Sequence, residues 1–218
     1  MGIFDLIIGK SAKHSYHKAK IHRHGHRCYT EGLDHNEYAL VSHLAQNLDS
    51  SKYFIFNNLT IPSSSTISSQ IDHVIVSKYG IFVIESKHYN GFIFAHANRN
   101  EWTVTYRGGS KFKFQNPIIQ NFGHVSALKE QLPFLRRCFF NIVTFSGDCE
   151  FKTDRINDVL YSEELVDCIK KRNRIWLQEE EIHMVIGKLL MLCQTNDIDL
   201  ESHIKNLQIH HAKKTIAA

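Results

Sequence analysis

The sequence predicts a mixed α/β fold, a central β-sheet flanked by helices. Three observations predict it. Apolar residues recur at helical spacing over 34–48, 117–131 and 178–193. Short runs of β-branched and aromatic residues between these segments read as strands. The elements follow the order helix, antiparallel strands, helix, strand, strand, helix, which is not the regular alternation of a doubly wound sheet. The chain has neither a GxGxxG turn nor a P-loop, so nucleotide-driven chemistry finds no support.

Residues 1–30 read as a basic, His-rich appendage, 31–195 as one folded domain, and 196–218 as a polar tail with a weak helical pattern. Leu33, Glu37, Leu40, Val41, Leu44 and Leu48 follow helical spacing, with Asp34 placed as N-cap. Tyr53-Phe54-Ile55-Phe56 is rich in strand formers, and Ser63-Ser64-Ser65-Thr66 is a loop. Residues 70–76 and 81–87 read as two strands joined by Ser77-Lys78-Tyr79-Gly80, where glycine can take the left-handed conformation of a tight turn. Residues 91–94 and 102–106 continue the meander. Asn116-Pro117 opens a helix, with proline in the first turn, where its missing N–H costs nothing. Residues 141–145 and 159–161 are further strands, 163–171 a short helix, and 178–193 a final amphipathic one.

About 43% of the 218 residues are hydrophobic, enough for a sizeable core. No apolar run is long enough to span a membrane. The opening Met1-Gly2-Ile3-Phe4-Asp5-Leu6-Ile7-Ile8 is apolar but short, without a basic flank or small-residue cleavage site, and reads as a packed segment rather than a signal peptide. The five cysteines are scattered and odd in number, which suits free thiols in a reducing compartment and predicts a cytoplasmic protein. The net charge of +4 is compatible with nucleic acid without demonstrating it. Its distribution says more. Lys10, Lys13, Lys18, Lys20, Arg23 and Arg27 follow one another with no intervening acid, interspersed with five histidines. Two readings of this arm stay open: phosphate contact through Lys18, Lys20, Arg23 and Arg27, or a solvated leader. His22, His24 and His26 alternate, but no Cys or acid pattern accompanies them to suggest zinc.

The chemistry-bearing pattern is Asp72 within the first Ile/Val-rich strand and Glu85-Ser86-Lys87 at the end of the second. Charges on apolar strands need a reason, because burying an unpaired charge is costly. A shared divalent cation is such a reason, since carboxylate oxygens suit Mg²⁺. If Ser77 faces Gly80, Asp72 lies across from Glu85 on the same face, where two carboxylates repel unless a cation or proton lies between them. A turn with an extra bulged residue would put Asp72 on the other face, so the site requires the unbulged hairpin. Glu85 and Lys87, two apart on one strand, share that face. In this reading Asp72 and Glu85, with the Ser86 carbonyl, hold the metal, and Lys87 positions water or offsets charge on a phosphate.

Gln70-Ile71-Asp72-His73, the segment Gly80-Ile81-Phe82-Val83-Ile84-Glu85-Ser86-Lys87, Gly91, Trp102 and Asn116-Pro117-Ile118-Ile119-Gln120 together resemble the nuclease-related domain (NERD) family over residues 31–145. E-x-K alone is common by chance; the ordered set is specific. That family is placed by resemblance among the PD-(D/E)xK nucleases. The resemblance therefore implies a restriction-endonuclease-like mixed β-sheet core flanked by helices and a Mg²⁺- or Mn²⁺-dependent endonuclease. It implies Glu37 as a helical acid that binds metal directly or through water, and Gln120 as the polar helix position flanking the site. His124 lies four residues on, along the same helix face. Ile71 stands where the family usually has proline, and the glycine-rich lead to Glu37 is thin.

The resemblance implies DNA as substrate, with RNA left open, in DNA processing or in defence against foreign DNA. No membrane partner is expected. A homodimer and a helicase or sensor partner protein are open expectations. A non-catalytic nucleic-acid-binding or interaction module, and a nuclease active only with a partner, are the alternatives. Against the metal site stands a plain cross-strand ion pair at a sheet rim. For Glu37 and Gln120 the plain readings are a solvated acid and a surface amide. His73 should point away from Asp72 into the core, and Trp102, Phe112 and Phe114 read as core strand aromatics rather than base-stacking groups.

Overall fold

The structure is a computed structural model, which describes residue 33, residues 35–135 and 137–193, and the backbone alone of 20–21 and 27–28. The elements in chain order are β1 (Lys20–Ile21), β2 (Arg27–Cys28), α1 (His35–Asn47), β3 (Tyr53–Pro62), β4 (Ser68–Ser77), β5 (Gly80–His88), β6 (Gly91–Phe94), β7 (Glu101–Thr105), β8 (Lys111–Gln115), α2 (Pro117–Gln131), β9 (Phe139–Ser146), β10 (Cys149–Phe151) and β11 (Val159–Tyr161). A 3₁₀ turn (Ser162–Glu164) leads into α3 (Leu165–Lys170), and a helix over 179–193, α4, follows.

The main sheet has five strands in the order β11-β9-β5-β4-β3. β3, β4 and β5 pair antiparallel, whereas β9 joins β5 and β11 joins β9 in parallel. Such a mixed sheet needs cover on both faces, and the apolar residues supply it. Val74, Val76, Ile81 and Val83 pack on Val125 and Leu128 of α2 and on Val185, Ile186 and Leu189 of α4. On the other face Ile75, Phe82 and Ile84 pack on Leu40, Val41 and Leu44 of α1 and on Leu165, Val166 and Ile169 of α3. The two sets alternate along β5, as strand geometry requires. The helices expected over 34–48, 117–131, 163–171 and 178–193 all form, with bounds shifted by a few residues.

The sheet plan differs from the single meander expected. β6 does not continue beside β5; it pairs with β7 and, in parallel, with β10. A second sheet results, in the order β10-β6-β7-β8. Its inner face, Ile93, Trp102, Val104 and Phe114, closes over Val143 and Phe145 of β9 and Val159 of β11. The physical reason lies at Gly91, whose φ of +147° swings the chain out of β5. A Cβ there would meet the Thr105 carbonyl at 2.5 Å, so only glycine lets the strands approach. β8 and β10 were not expected as strands, although Lys111-Phe112-Lys113-Phe114 alternates in the proper period. β3 also runs past 53–56, because Leu59 and Ile61 pair with Ile71 and Ser69 beyond the polar Asn57-Asn58 step.

Candidate active site

The β4–β5 hairpin has the register the site requires. Ser77 pairs with Gly80, and the ladder continues through Val76↔Ile81, Ile75↔Phe82 and Val74↔Val83 to His73↔Ile84. Gly80 has φ +129°, and a Cβ there would press on the Phe140 ring and the Cys138 carbonyl. The ladder stops one pair short of Asp72 and Glu85. There the Asp72 side chain replaces a main-chain acceptor: its Oδ2 accepts the Ser86 N–H at 2.8 Å. Ser86 thus enters the site through its amide.

The opposite strand marks the same position. β3 and β4 pair at Asn57↔His73 and again at Leu59↔Ile71, with Asn58 and Asp72 outside the register between them. Asn58 has φ +51°, a left-handed conformation that asparagine tolerates better than most residues. The local twist changes which side chains share a face. Beyond it, Val74 and Val76 face α2; before it, Ile71 joins the same cluster, and Ser69 bonds to His124 of α2. The strict alternation of β4 breaks at Asp72.

Glu85 and Lys87 share a face as expected. Lys87 Nζ donates to Glu85 Oε1 at 2.6 Å and to Gln120 Oε1 at 3.2 Å. The Glu85 side chain is only 2% exposed and Lys87 is 22% exposed, so this pair is sheltered from solvent rather than at a washed sheet rim. Glu85 Oε2 lies 3.3 Å from His124 Nε2. The contact is close enough for an ion pair, but it is not aligned as a hydrogen bond, and both atoms are buried without one. Behind the imidazole, Nδ1 and the Ser69 hydroxyl are 2.6 Å apart. The arrangement that suits all three groups has Ser69 donating to Nδ1 and the ring proton on Nε2, facing Glu85.

Helix α2 delivers Gln120 and His124 from consecutive turns. Two buried asparagines hold it in place. Asn116 caps the helix by accepting the Ile118 N–H, and its amide donates to the carbonyls of Ala97 and Arg99. Asn121 donates to the carbonyls of Val83 and Ile142 and to Asn141 Oδ1, tying α2 across β5 and β9. Burial and the neighbouring Glu85 charge push the Asp72 carboxyl up to about 7, against the pull of the Ser86 amide and Lys87, with Glu37 adding a smaller upward push. Glu37 thus reaches the site through its field, from the first turn of α1.

These side chains fit a divalent cation. Asp72 is a carboxylate whose ionised form the fold disfavours, and Glu85 has an unsatisfied buried oxygen. A cation between them would relieve both. Among the described residues no three His, Cys, Asp or Glu side chains gather as a ligand cluster. Two carboxylates are what Mg²⁺ commonly takes from protein, with water and substrate oxygens completing its shell.

His73 is fully buried and meets Asn57 Oδ1 through Nδ1 at 2.9 Å, a core histidine. Trp102 and Phe114 are core residues, whereas Phe112 is half exposed. Lys18 and Arg23 of the basic arm, the first eight residues and the tail lie outside the described residues; for Lys20 and Arg27 the backbone alone is described. Cys138, Cys149, Cys168 and Cys193 are free thiols. No helix among the described residues is long and apolar enough to cross a membrane. Ser69 was missed, because counting by twos from Asp72 puts it on the wrong face. The signal for His124 was its spacing from Gln120.

Comparison with known proteins covers the same part of the chain. The nuclease-related domain family matches residues 34–146, a span that holds Glu37, Asp72, Glu85, Lys87, Gln120 and His124. An uncharacterized protein of Bacillus anthracis is 29% identical over 185 residues, covering 80% of this chain and 84% of its own length. No solved structure matches the chain. With more than half of its length matched and the matched span carrying the carboxylates, the lysine and the helix that closes on them, the chain belongs to the nuclease-related domain (NERD) family.

Proposed function

We propose that this protein is a Mg²⁺- or Mn²⁺-dependent endonuclease that hydrolyses phosphodiester bonds of DNA. One observation carries the reading: Asp72 and Glu85 converge where β4 and β5 part, with Lys87 bonded to Glu85 and Gln120. Asp72 and Glu85, with the Ser86 carbonyl, are the groups that would hold the metal, and Glu37 would support it through water. Bound there, the cation supplies the positive charge that an anionic phosphodiester needs before a nucleophile can approach.

The chain's own groups do the rest. Lys87 Nζ is held by two acceptors, so its charge is aimed rather than free to wander; it offsets charge building on the phosphate or orients the attacking water. Gln120 keeps Lys87 from collapsing entirely onto Glu85. His124, backed by Ser69, fixes the rotamer of Glu85 from behind. Lys20, Arg27, Lys18 and Arg23 would add phosphate contacts. A role in DNA processing or in defence against foreign DNA follows from the class by analogy.

The test is incubation of the purified protein with plasmid, linear, single-stranded and branched DNA, and with RNA, in Mg²⁺ or Mn²⁺. Cleavage should appear with metal, stop with EDTA and vanish in Asp72→Ala. Equal cleavage by wild type and Asp72→Ala would sink the reading. Salt-sensitive binding with no cleavage under any metal would favour a non-catalytic binding module instead.

A further inference from the structure

The second sheet has an outer face that the candidate active site does not use. On β6, Phe92 and Phe94 both point outward and are 37% exposed, while Ile93 between them is fully buried. The register sets Phe92 beside Thr105 and Phe94 beside Thr103, and sets those threonines beside Lys111 and Lys113 of β8. On the other side Lys152 lies 4.4 Å above the Phe92 ring. Next to Phe94, a cavity of about 560 Å³ opens between Arg99, Asn100, Glu101, Thr103 and Lys113. Two aromatic rings thus stand in a row, flanked by threonines and then by lysines.

We propose that this face binds single-stranded nucleic acid, with unpaired bases stacked on Phe92 and Phe94 and the phosphates tracking Arg99, Lys111 and Lys113. The inference rests on the nucleic-acid substrate proposed above and names its form. Charge supports it. Glu101 and Glu150 on this face are each paired, with Lys113 and Lys152. Among the described residues Arg99 and Lys111 have no acidic partner, so the face carries a net positive surplus suited to phosphates.

Spacing favours a single strand over a duplex. Residues two apart on a strand are about 6.6 Å apart, whereas duplex bases stack about 3.4 Å apart and show no π face to a flat sheet. Bases splayed one to each ring need no unpairing in a single strand, and stacking on aromatic faces tolerates any base. A protein partner is disfavoured because lysine is depleted from the cores of protein interfaces, and here lysines surround the rings.

The experiment is fluorescence anisotropy of a labelled oligothymidylate of about 16 nucleotides, and of a duplex of the same length, titrated with full-length protein in EDTA. No cleavage occurs there, so binding is read independently of nuclease activity. Phe92→Ala/Phe94→Ala should weaken single-strand binding at least about tenfold and leave duplex binding unchanged. Phe92→Leu/Phe94→Leu keeps apolar bulk without a ring and should weaken it similarly; thermal melting checks that both fold. Arg99→Ala or Lys111→Ala should lower the salt slope by about 0.7. Single-strand binding at wild-type strength in the folded double variants overturns the proposal. So does absence of single-strand binding by wild type, or a loss of self-association with no change in DNA binding. If Asp72→Ala binds the oligonucleotide as wild type does while no protein cleaves DNA, the binding face stands and the nuclease reading falls.

Discussion

Asp72 is held in a position that disfavours its ionised form, because it is buried beside Glu85. The consequence for stability has a definite sign. The folded pKa, about 7, lies above the ordinary value of 3.8, so the folded state keeps the proton longer than the unfolded one. The stabilisation from protonated Asp72 is therefore complete below pH 3.8 and is lost as pH rises through about 7. Asp72→Asn removes the charge while its side-chain oxygen can still accept the Ser86 N–H. We predict that at pH 8 without metal this variant is more stable than wild type, on the order of 1–3 kcal/mol, and that the gain disappears near pH 4. Urea denaturation at the two pH values measures it; equal or lower stability of the variant at pH 8 would falsify the cost of burying this charge beside Glu85. Lys87 belongs to the same scale. Lys87→Met should lower kcat by a factor on the order of 10² to 10³, with little change in single-strand binding in EDTA, because Nζ is held toward the reacting centre rather than the second sheet.

At the scale of the element, the site depends on how α2 is seated. Asn121 bridges α2 to Val83 of β5 and to Ile142 and Asn141 of β9 through one amide. Asn121→Ala leaves those buried carbonyls short of a donor and should destabilise the fold by about 2–4 kcal/mol. Asn121→Leu, which fills more of the space, should be no better, because the missing group is a donor rather than volume. Chemical denaturation reads both; a loss below about 0.5 kcal/mol would mean that α2 is held by its apolar face alone. Gly80 is the matching test on the hairpin. Its φ of +129° and the 2.8 Å approach of a Cβ to the Cys138 carbonyl leave no space for alanine. Gly80→Ala should cost more than the ~1 kcal/mol typical of glycine's conformational freedom, and it should reduce activity by disturbing the register that brings Asp72 to Glu85.

For the whole molecule, a metal held by the two carboxylates, as proposed above, would couple folding to its binding. A cation that binds the folded state and not the unfolded one raises the melting temperature with its concentration. Mg²⁺ or Mn²⁺ should therefore stabilise wild type progressively in a thermal scan and have little effect on Asp72→Asn/Glu85→Gln. A metal-induced shift of equal size in both proteins would show that the ion binds elsewhere. In the proposed scheme two regions would divide the work: the place where β4 and β5 part, beside α2, and the outer face of the second sheet, which β6 reaches only three residues after β5 ends. The short link ties substrate capture on Phe92 and Phe94 to the lysine at the end of β5.

Much of this was written in the local sequence. Helical periodicity located three of the four described helices, because a buried stripe every three to four residues is a one-dimensional signal. The sequence left two hairpin registers open around Gly80, and the unbulged one that the candidate site requires is the one that forms. From that register came the convergence of Asp72, Glu85 and Lys87, since strand parity carries one residue's direction to its neighbours. What parity could not carry across was the twist at Asn58 and Asp72, which turns Ser69 toward His124 against a count by twos. Nor could it reveal that β6 leaves the first sheet, because strand pairing is decided by partners distant in the chain. β10 and β6 meet only after α2 and β9 have been laid between them. The sequence by itself determined which residues carry charge on apolar strands, and hence where the candidate site lies. The tertiary structure alone decided how deeply those charges are buried and what stands behind them. Burial and alignment depend on the packing of α2 and the second sheet, and no local pattern encodes them.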